Sequence, residues 1–309
     1  MKQSKGSSMN PRVFFSVLFV IITGWFAVGA YASSQHLEKP VFLDHYIDDY
    51  AQEALTLQFY YITNKGDRNT INYIMLGYIP GYVNSGYIDE FFDPFMEEAQ
   101  YIQRYGLHDL RSVTITLDAQ EINKSKENMT FDEITVYFSD GSSMVADIGE
   151  IVLHPIKSTD NPLLSQELSA SSPNSYESVV RAEEKLTITS LQPHMPADDL
   201  NSLTIHLLGE DEIVNEYNLS DMMDEKIRHE KGSHYMDLNY PIELDEEEAF
   251  VLSIRNQEKV KYVLKSWMMV EALDENNKEL SFPLYLSCIP ELAAADIKAI
   301  LEQKGQGNK

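Results

Sequence analysis

"ITVYFSDG", residues 134–141, is the stretch whose reading decides the fold. Ile134, Val136 and Phe138 alternate with Thr135 and Tyr137, the period-two pattern of a strand with one buried face, and Asp140-Gly141 follows at once as a turn signal. Upstream, "VTITL" at 113–117 alternates in the same way. Downstream, "LTITS" at 186–190 and "LTIHL" at 203–207 repeat the arrangement, followed by "GEDE" at 209–212. The two pairs match as an internal duplication would, and also as any two short alternating runs do.

Further strands are predicted at "LTLQFYYIT" (55–63), "TINYIML" (70–76) and "AFVLSIR" (249–255). Near the C-terminus, "KYVLKSWMMVEAL" and "ELSFPLYLS" flank "DENNK" in a hairpin-like arrangement. Two helices are expected. Asp93 caps, Pro94 opens and Gly106 stops one over 94–105, with Phe95, Ala99 and Ile102 on one face. Pro290 opens and Gly305 closes the other, in which Leu292, Ala295 and Ala299 share a face. The segment 158–185 is rich in Ser, Asn and Pro and reads as a linker or a long surface loop.

The predicted fold is therefore mainly β with a few helices. Two antiparallel sandwich-like domains, 33–157 and 186–309, follow an N-terminal hydrophobic helix. In its alternation of short strands this plan resembles immunoglobulin-like extracellular modules, a likeness of architecture that would not fix function.

The N-terminal segment supplies an address. Lys2, Lys5 and Arg12 precede an apolar run from Val13 to Ala32, and Ala30 and Ala32 are the small residues a signal peptidase reads. That favours a cleaved export signal. The run is also about as long as the ~20 residues that span a bilayer, which favours a retained anchor. Either way the basic end stays in the cytoplasm and the body, from residue 33, is extracytoplasmic: secreted, or held at the cell membrane by residues 13–32. The chain carries 49 acidic against 24 basic residues, a formal net charge of −25. Such a field repels nucleic acid phosphates, so no nucleic acid partner is expected. Cys288 is the only cysteine, which rules out an intramolecular disulfide and a cysteine-built metal site.

No nucleophile elbow, phosphate loop, dinucleotide fingerprint or zinc-protease helix is present in the sequence. Cys288 lies in an apolar run that suits a buried thiol. His229 and His234 neighbour Glu230 and Asp237, but their loop around Gly232 lacks ligand spacing, and His206 alternates away from the apolar positions of its strand. "DENNKELSFPLY" (274–285) begins like a calcium loop and fails with Glu279 at the glycine position and Tyr285 at the bidentate one. "ELDEEE" (243–248) reads as a solvated face. No metal ligand, cofactor or catalytic residue is assigned.

One patch stands out. "YIMLGYIPGYVNSGYIDEFFDPF" (73–95) interleaves Tyr78, Tyr82, Tyr87 and Phe91 with Gly77, Gly81 and Gly86, and tyrosines on glycine-punctuated loops make recognition surfaces. These four are the candidate ligand-binding residues. The same aromatics could instead fill a core between the first sheet and the 94–105 helix. The function expected is a non-catalytic envelope protein with ligand- or partner-binding β-domains, its partner a glycan or an envelope protein. The alternative is an envelope hydrolase of glycosidase type using an Asp/Glu pair.

Overall fold

The computed structural model describes residues 11–51, 54–83, 101–155, 163–172, 175–196, 203–208, 233–255 and 262–305. Within them the chain is mostly β with three helices. Helix α1 (Pro11–Ser34) is followed by β1 (Val41–Phe42), β2 (Asp44–Ala51), β3 (Ala54–Asn64), β4 (Ile71–Leu76), β5 (Ile79–Val83), β6 (Tyr101–Tyr105) and β7 (His108–Asp118). After α2 (Ala119–Ser125) come β8 (Met129–Phe138), β9 (Ser143–Pro155), β10 (Leu164–Ser172), β11 (Ser175–Ala182), β12 (Leu186–His194), β13 (Leu203–Leu208) and β14 (Ser233–His234). The chain ends with β15 (Ile242–Leu244), β16 (Ala249–Arg255), β17 (Tyr262–Asp274), β18 (Glu279–Cys288) and α3 (Ala294–Gln303).

The alternation at 134–138 does what it predicts. Ile134, Val136 and Phe138 are buried in β8, and Ser142 follows the turn into β9. The first half forms one sheet path, β1-β3-β7-β5-β4-β8-β9-β2. Its two ends, β1 and β2, are successive pieces of one segment joined at Leu43, so the sheet wraps around a single core that includes Leu57, Phe59, Ile74, Ile115, Val136 and Ile151. Strand β2 then carries the sheet onward. It runs parallel to both β9 and β17, and β17 continues to β12 and β15. The expectation of antiparallel sheets alone is thus corrected at β2, whose parallel partners lie far away in sequence.

In the second half, β12, β17 and β18 face a five-stranded sheet, β10-β11-β16-β13-β14. Leu186, Met268, Val270 and Phe282 from one side meet Val180, Phe250 and Leu252 from the other. Tyr176 donates its hydroxyl to the Tyr285 carbonyl (3.0 Å), and Gln166 exchanges two bonds with the Tyr285 backbone, stitching the sheets together. Two expectations change here. Residues 164–182, expected within a linker, form β10 and β11, because the edge of β16 supplies ladder partners that outweigh a Ser-rich composition. Residues 101–105, the end of the expected helix, are a strand paired with β7 and turned at Gly106 (φ +61°); the rest of that expected helix lies outside the described residues.

The expected C-terminal helix α3 forms, but it begins at Ala294 rather than after Pro290, leaves Ala295 exposed, and packs Ile297, Ile300 and Leu301 mainly on the first half of the chain, at Tyr60, Ile62 and Leu110, with Val263 from the second. Lys304, just beyond it, pairs with Asp44 of β2 and with Asp147 of β9 (3.1 Å).

Candidate functional site

Strand pairing turns the predicted aromatic patch into a row. Tyr82 of β5 stands opposite Tyr73 of β4, and Tyr73 stands opposite Tyr137 of β8. Residues directly opposite on neighbouring strands point to the same face. Tyr73 and Tyr137 stack, with ring centroids 4.3 Å apart and planes 10° apart. Tyr82 is 64% exposed, Tyr73 36% and Tyr78, at the hairpin tip, 63%. Tyr78 and Tyr82 are therefore solvent-facing and no part of the core. Tyr87 and Phe91 lie outside the described residues.

The glycines work differently from the expectation of loops. Gly77 (φ +56°) and Tyr78 form a two-residue turn between Leu76 and Ile79, with the glycine at the first central position that such hairpins favour. Gly81 sits inside β5, facing inward. A Cβ there would lie 2.4 Å from Ile115 Cδ1 and 3.0 Å from Leu117 Cδ2, so its missing side chain is what lets those two fill the core beneath Tyr82. Around the tyrosine row, the outward positions are Thr56 and Gln58 on β3, Ser112, Thr114 and Thr116 on β7, Pro80 on β5, Met75 on β4 and Thr135 on β8. None of these side chains is ionisable except the tyrosine phenols, and the nearest carboxylates on the face are Glu133 of β8, two positions from Thr135, and Asp147 opposite it on β9. The hydroxyl of Tyr73 is held above the ordinary phenol pKa, chiefly by desolvation and then by Tyr137.

A second constellation was not anticipated. Asp48 of β2, nearly buried, accepts hydrogen bonds at one oxygen from His154 Nε2 of β9 (2.6 Å) and Trp267 Nε1 of β17 (2.8 Å). His194 of β12 stacks on Trp267 at 3.6 Å, and Tyr50 lies 5.1 Å from the Trp267 ring. Burial, with Asp48 second, raises the Tyr50 hydroxyl pKa. On the other face, Asp49 pairs with Lys265 (2.6 Å), which also donates to the Thr56 carbonyl (3.1 Å). The cluster ties β9, β2, β17 and β12 side by side at the parallel junction, the place where pairing is weakest in local sequence signal. The hint in the sequence is "DHYIDDYA", in which Tyr46, Ile47 and Tyr50 share a short stretch with three carboxylates.

The other candidates fall as follows. Among the described residues no group of three or more His, Cys, Asp or Glu side chains is arranged to hold a metal ion. His234 uses Nδ1 to accept the Met236 N–H (3.3 Å), and His229 lies outside the described residues. Cys288 is buried in β18. Asp274 accepts the N–H groups of Asn276 and Lys278 (2.8 Å each), so the calcium-like loop is a β17–β18 hairpin turn. Ala30 and Ala32 lie within α1, whose segment Arg12–Ser34 is long and apolar enough to cross a membrane.

No protein-family model matches the chain, and no curated protein matches it in sequence. Solved structures give faint likenesses. The SGBP-B protein of the Bacteroides ovatus mixed-linkage glucan utilization locus, solved with a mixed-linkage heptasaccharide, is 9% identical at a TM-score of 0.21; the match covers 79% of this chain and 43% of that one. The collagen adhesin of S. aureus is 11% identical at a TM-score of 0.24, covering 85% of this chain and 97% of that one. The C-terminal domain of the Streptococcus agalactiae AgI/II polypeptide BspA is 6% identical at 0.17, covering 81% and 99%. TM-scores of this size establish no shared fold and carry no argument about this chain.

Proposed function

We propose that this is an extracytoplasmic binding protein, tethered or released by its N-terminal helix, whose tyrosine row holds a neutral glycan. The observation that carries this reading is the solvent-side Tyr82-Tyr73-Tyr137 row, whose immediate outward neighbours carry no charge while Glu133 and Asp147 stand at the margin of the face, in a chain whose net charge is −25. A soluble acidic protein normally covers its solvent faces with carboxylates and lysines, and the positions next to the tyrosines omit them. Ring surfaces meet the apolar C–H faces of sugars, and the surrounding Thr, Ser and Gln groups donate to and accept from hydroxyls. An anionic polysaccharide is disfavoured by the overall field. The two halves of the body act in this reading as sandwich-like supports for that surface.

The test is retardation of the body, residues 33–309, in native gels cast with neutral polysaccharides. Retardation by at least one of them, abolished in a Tyr73→Ala/Tyr82→Ala double variant with an unchanged denaturation midpoint, is the expected result. Equal mobility of the two proteins across the panel would sink the glycan reading, and capture of a protein partner through the same residues would reassign the face.

A further inference from the structure

We infer that a cleft at the base of α1 is a lipid site, filled by one acyl chain of a zwitterionic phospholipid from the outer leaflet. The inference rests on the membrane-tethered form of the reading above. The cleft has a volume of about 450 Å³ and lies between the last turn of α1 (Tyr31, Ser34), the β6–β7 turn (Tyr105, Leu107) and α3 (Ile297, Leu301). That volume falls in the ~300–1,000 Å³ range of small-molecule sites. Its walls are largely apolar, and Leu107 at the turn is 39% exposed.

What places lipid there is the way the anchor joins the body. The apolar segment Arg12–Ser34 is 23 residues long with none of it buried in the protein. At ~1.5 Å per residue it is long enough to cross a hydrocarbon core of ~30 Å. It runs without interruption to Ser34, and the body takes hold immediately. The Gln35 carbonyl accepts from His108 Nε2 (2.8 Å), Leu37 exchanges two bonds with the Asn64 side chain (2.9 and 2.7 Å), and Leu37 itself is buried. No linker separates membrane from body. With the apolar run in the bilayer, Tyr31 falls in the interfacial belt where tyrosines collect, and Ser34 stands less than a turn, ~5 Å, beyond it. The cleft shares both residues, so its mouth stands at the level where acyl chains meet headgroups. Lys298 and Glu302, one turn apart on the α3 wall, pair with each other (3.7 Å) and so leave the mouth without net charge, as suits a zwitterionic headgroup. The acidic body disfavours an anionic lipid.

The experiment uses the full chain in nanodiscs of zwitterionic phospholipid doped with a phosphatidylethanolamine that carries a diazirine at the end of one acyl chain. After irradiation, adducts are mapped by peptide mass. The expected result is labelling of 105–108 and 297–301 as well as α1, with Leu107→Glu reducing the label on 297–301 severalfold while leaving that on α1. Label confined to residues 13–32 of an uncut chain overturns the lipid site and leaves the anchor standing. Chain-to-chain adducts across the cleft would overturn it in favour of a second copy. Intact mass of the protein recovered from membranes separates the two levels of the argument: a chain beginning at Ser33 overturns the anchor and the lipid site together.

Discussion

Along β3 and β7 the outward side chains change character halfway. At one end Tyr60, Ile62 and Leu110 lie under α3, buried with Ile297 and Ile300. At the other, Thr56 and Gln58 are exposed, Thr114 and Thr116 are half-buried, and the row leads across to Tyr82 and Tyr73. The same strands and the same alternation make both ends. The covered end is what an apolar surface requires and the chain supplies its cover. The open end is polar enough to remain in water, and the positions next to the tyrosines are uncharged, with the carboxylates of Glu133 and Asp147 only at the margin of the face. The difference separates residues selected by packing from residues free to serve recognition.

The largest effect should come from thinning the cover. Ile297 is almost wholly buried, and Ile297→Ala removes packing from Tyr60 and Ile62 together, at a cost of about 2–5 kcal/mol in chemical denaturation. Thr114→Ala, on the same face at the open end, should stay within about 0.5 kcal/mol of the parent. Equal losses at the two positions would erase the distinction between the ends.

Next comes acid. His45 of β2 is buried against Phe59 and Tyr60, with Nδ1–H donating to the Leu43 carbonyl (2.8 Å) and Nε2 accepting the Tyr60 N–H (3.1 Å). The ring takes the place of a ladder partner for β3 at the covered end. Burial, opposed by its backbone hydrogen bonds and aided by Lys304, lowers its pKa from 6.5 to about 4. The fold therefore holds the neutral ring. Well above pH 6.5 folded and unfolded chains bind the same proton count at this site. As pH falls from 6.5 towards 4 the unfolded chain takes up a proton that the fold refuses, and stability drops by about 3 kcal/mol. Denaturation midpoints measured across that window should slope in the parent and flatten in His45→Gln, which keeps an acceptor for Tyr60. A slope unchanged by the substitution would place the acid sensitivity elsewhere.

How much of this was legible in the sequence follows from the range of the interactions. Alternation made β7, β8 and β12 readable, and Pro290 with Gly305 bracketed α3, because those signals are local. The parallel pairing of β2 with β9 and β17 has no local signature, and its anchors Asp48, His154 and Trp267 come together only when distant strands do. Segment 164–182 was misread for the mirror reason: Ser-rich composition favours a loop until β16 offers a ladder. Tyr78 and Tyr82 were readable as unusual. Their arrangement with Tyr73 and Tyr137 was not, since it depends on register.

Under the open end, Gly81→Ala should cost about 1–3 kcal/mol, because Ile115 and Leu117 already occupy the space and neither can leave a closed core. The substitution acts from the inner side, so a destabilised variant that still binds through Tyr82 would separate support from recognition. Loss of binding with no loss of stability would mean that Gly81 shapes the outer surface directly.

The smallest stability effect and the sharpest contrast belong to the tyrosines. Aromatic pairs in contact are worth about 0.5–1.5 kcal/mol beyond area burial. A double-mutant cycle on Tyr73→Ala and Tyr137→Ala should return a coupling in that range, given the 4.3 Å stack. Each single variant should unfold close to the parent, because both rings lie on the solvent side of β4 and β8 while Ile74 and Val136 hold the inner side. A row kept for packing would show its full cost in that cycle. A row kept for a ligand should lose far more affinity than stability when Tyr73 is truncated. Measuring both quantities on one variant therefore decides which end of the face Tyr73 belongs with: if its stability loss matches that of Ile297→Ala, the open end is core after all and the recognition surface must be sought elsewhere.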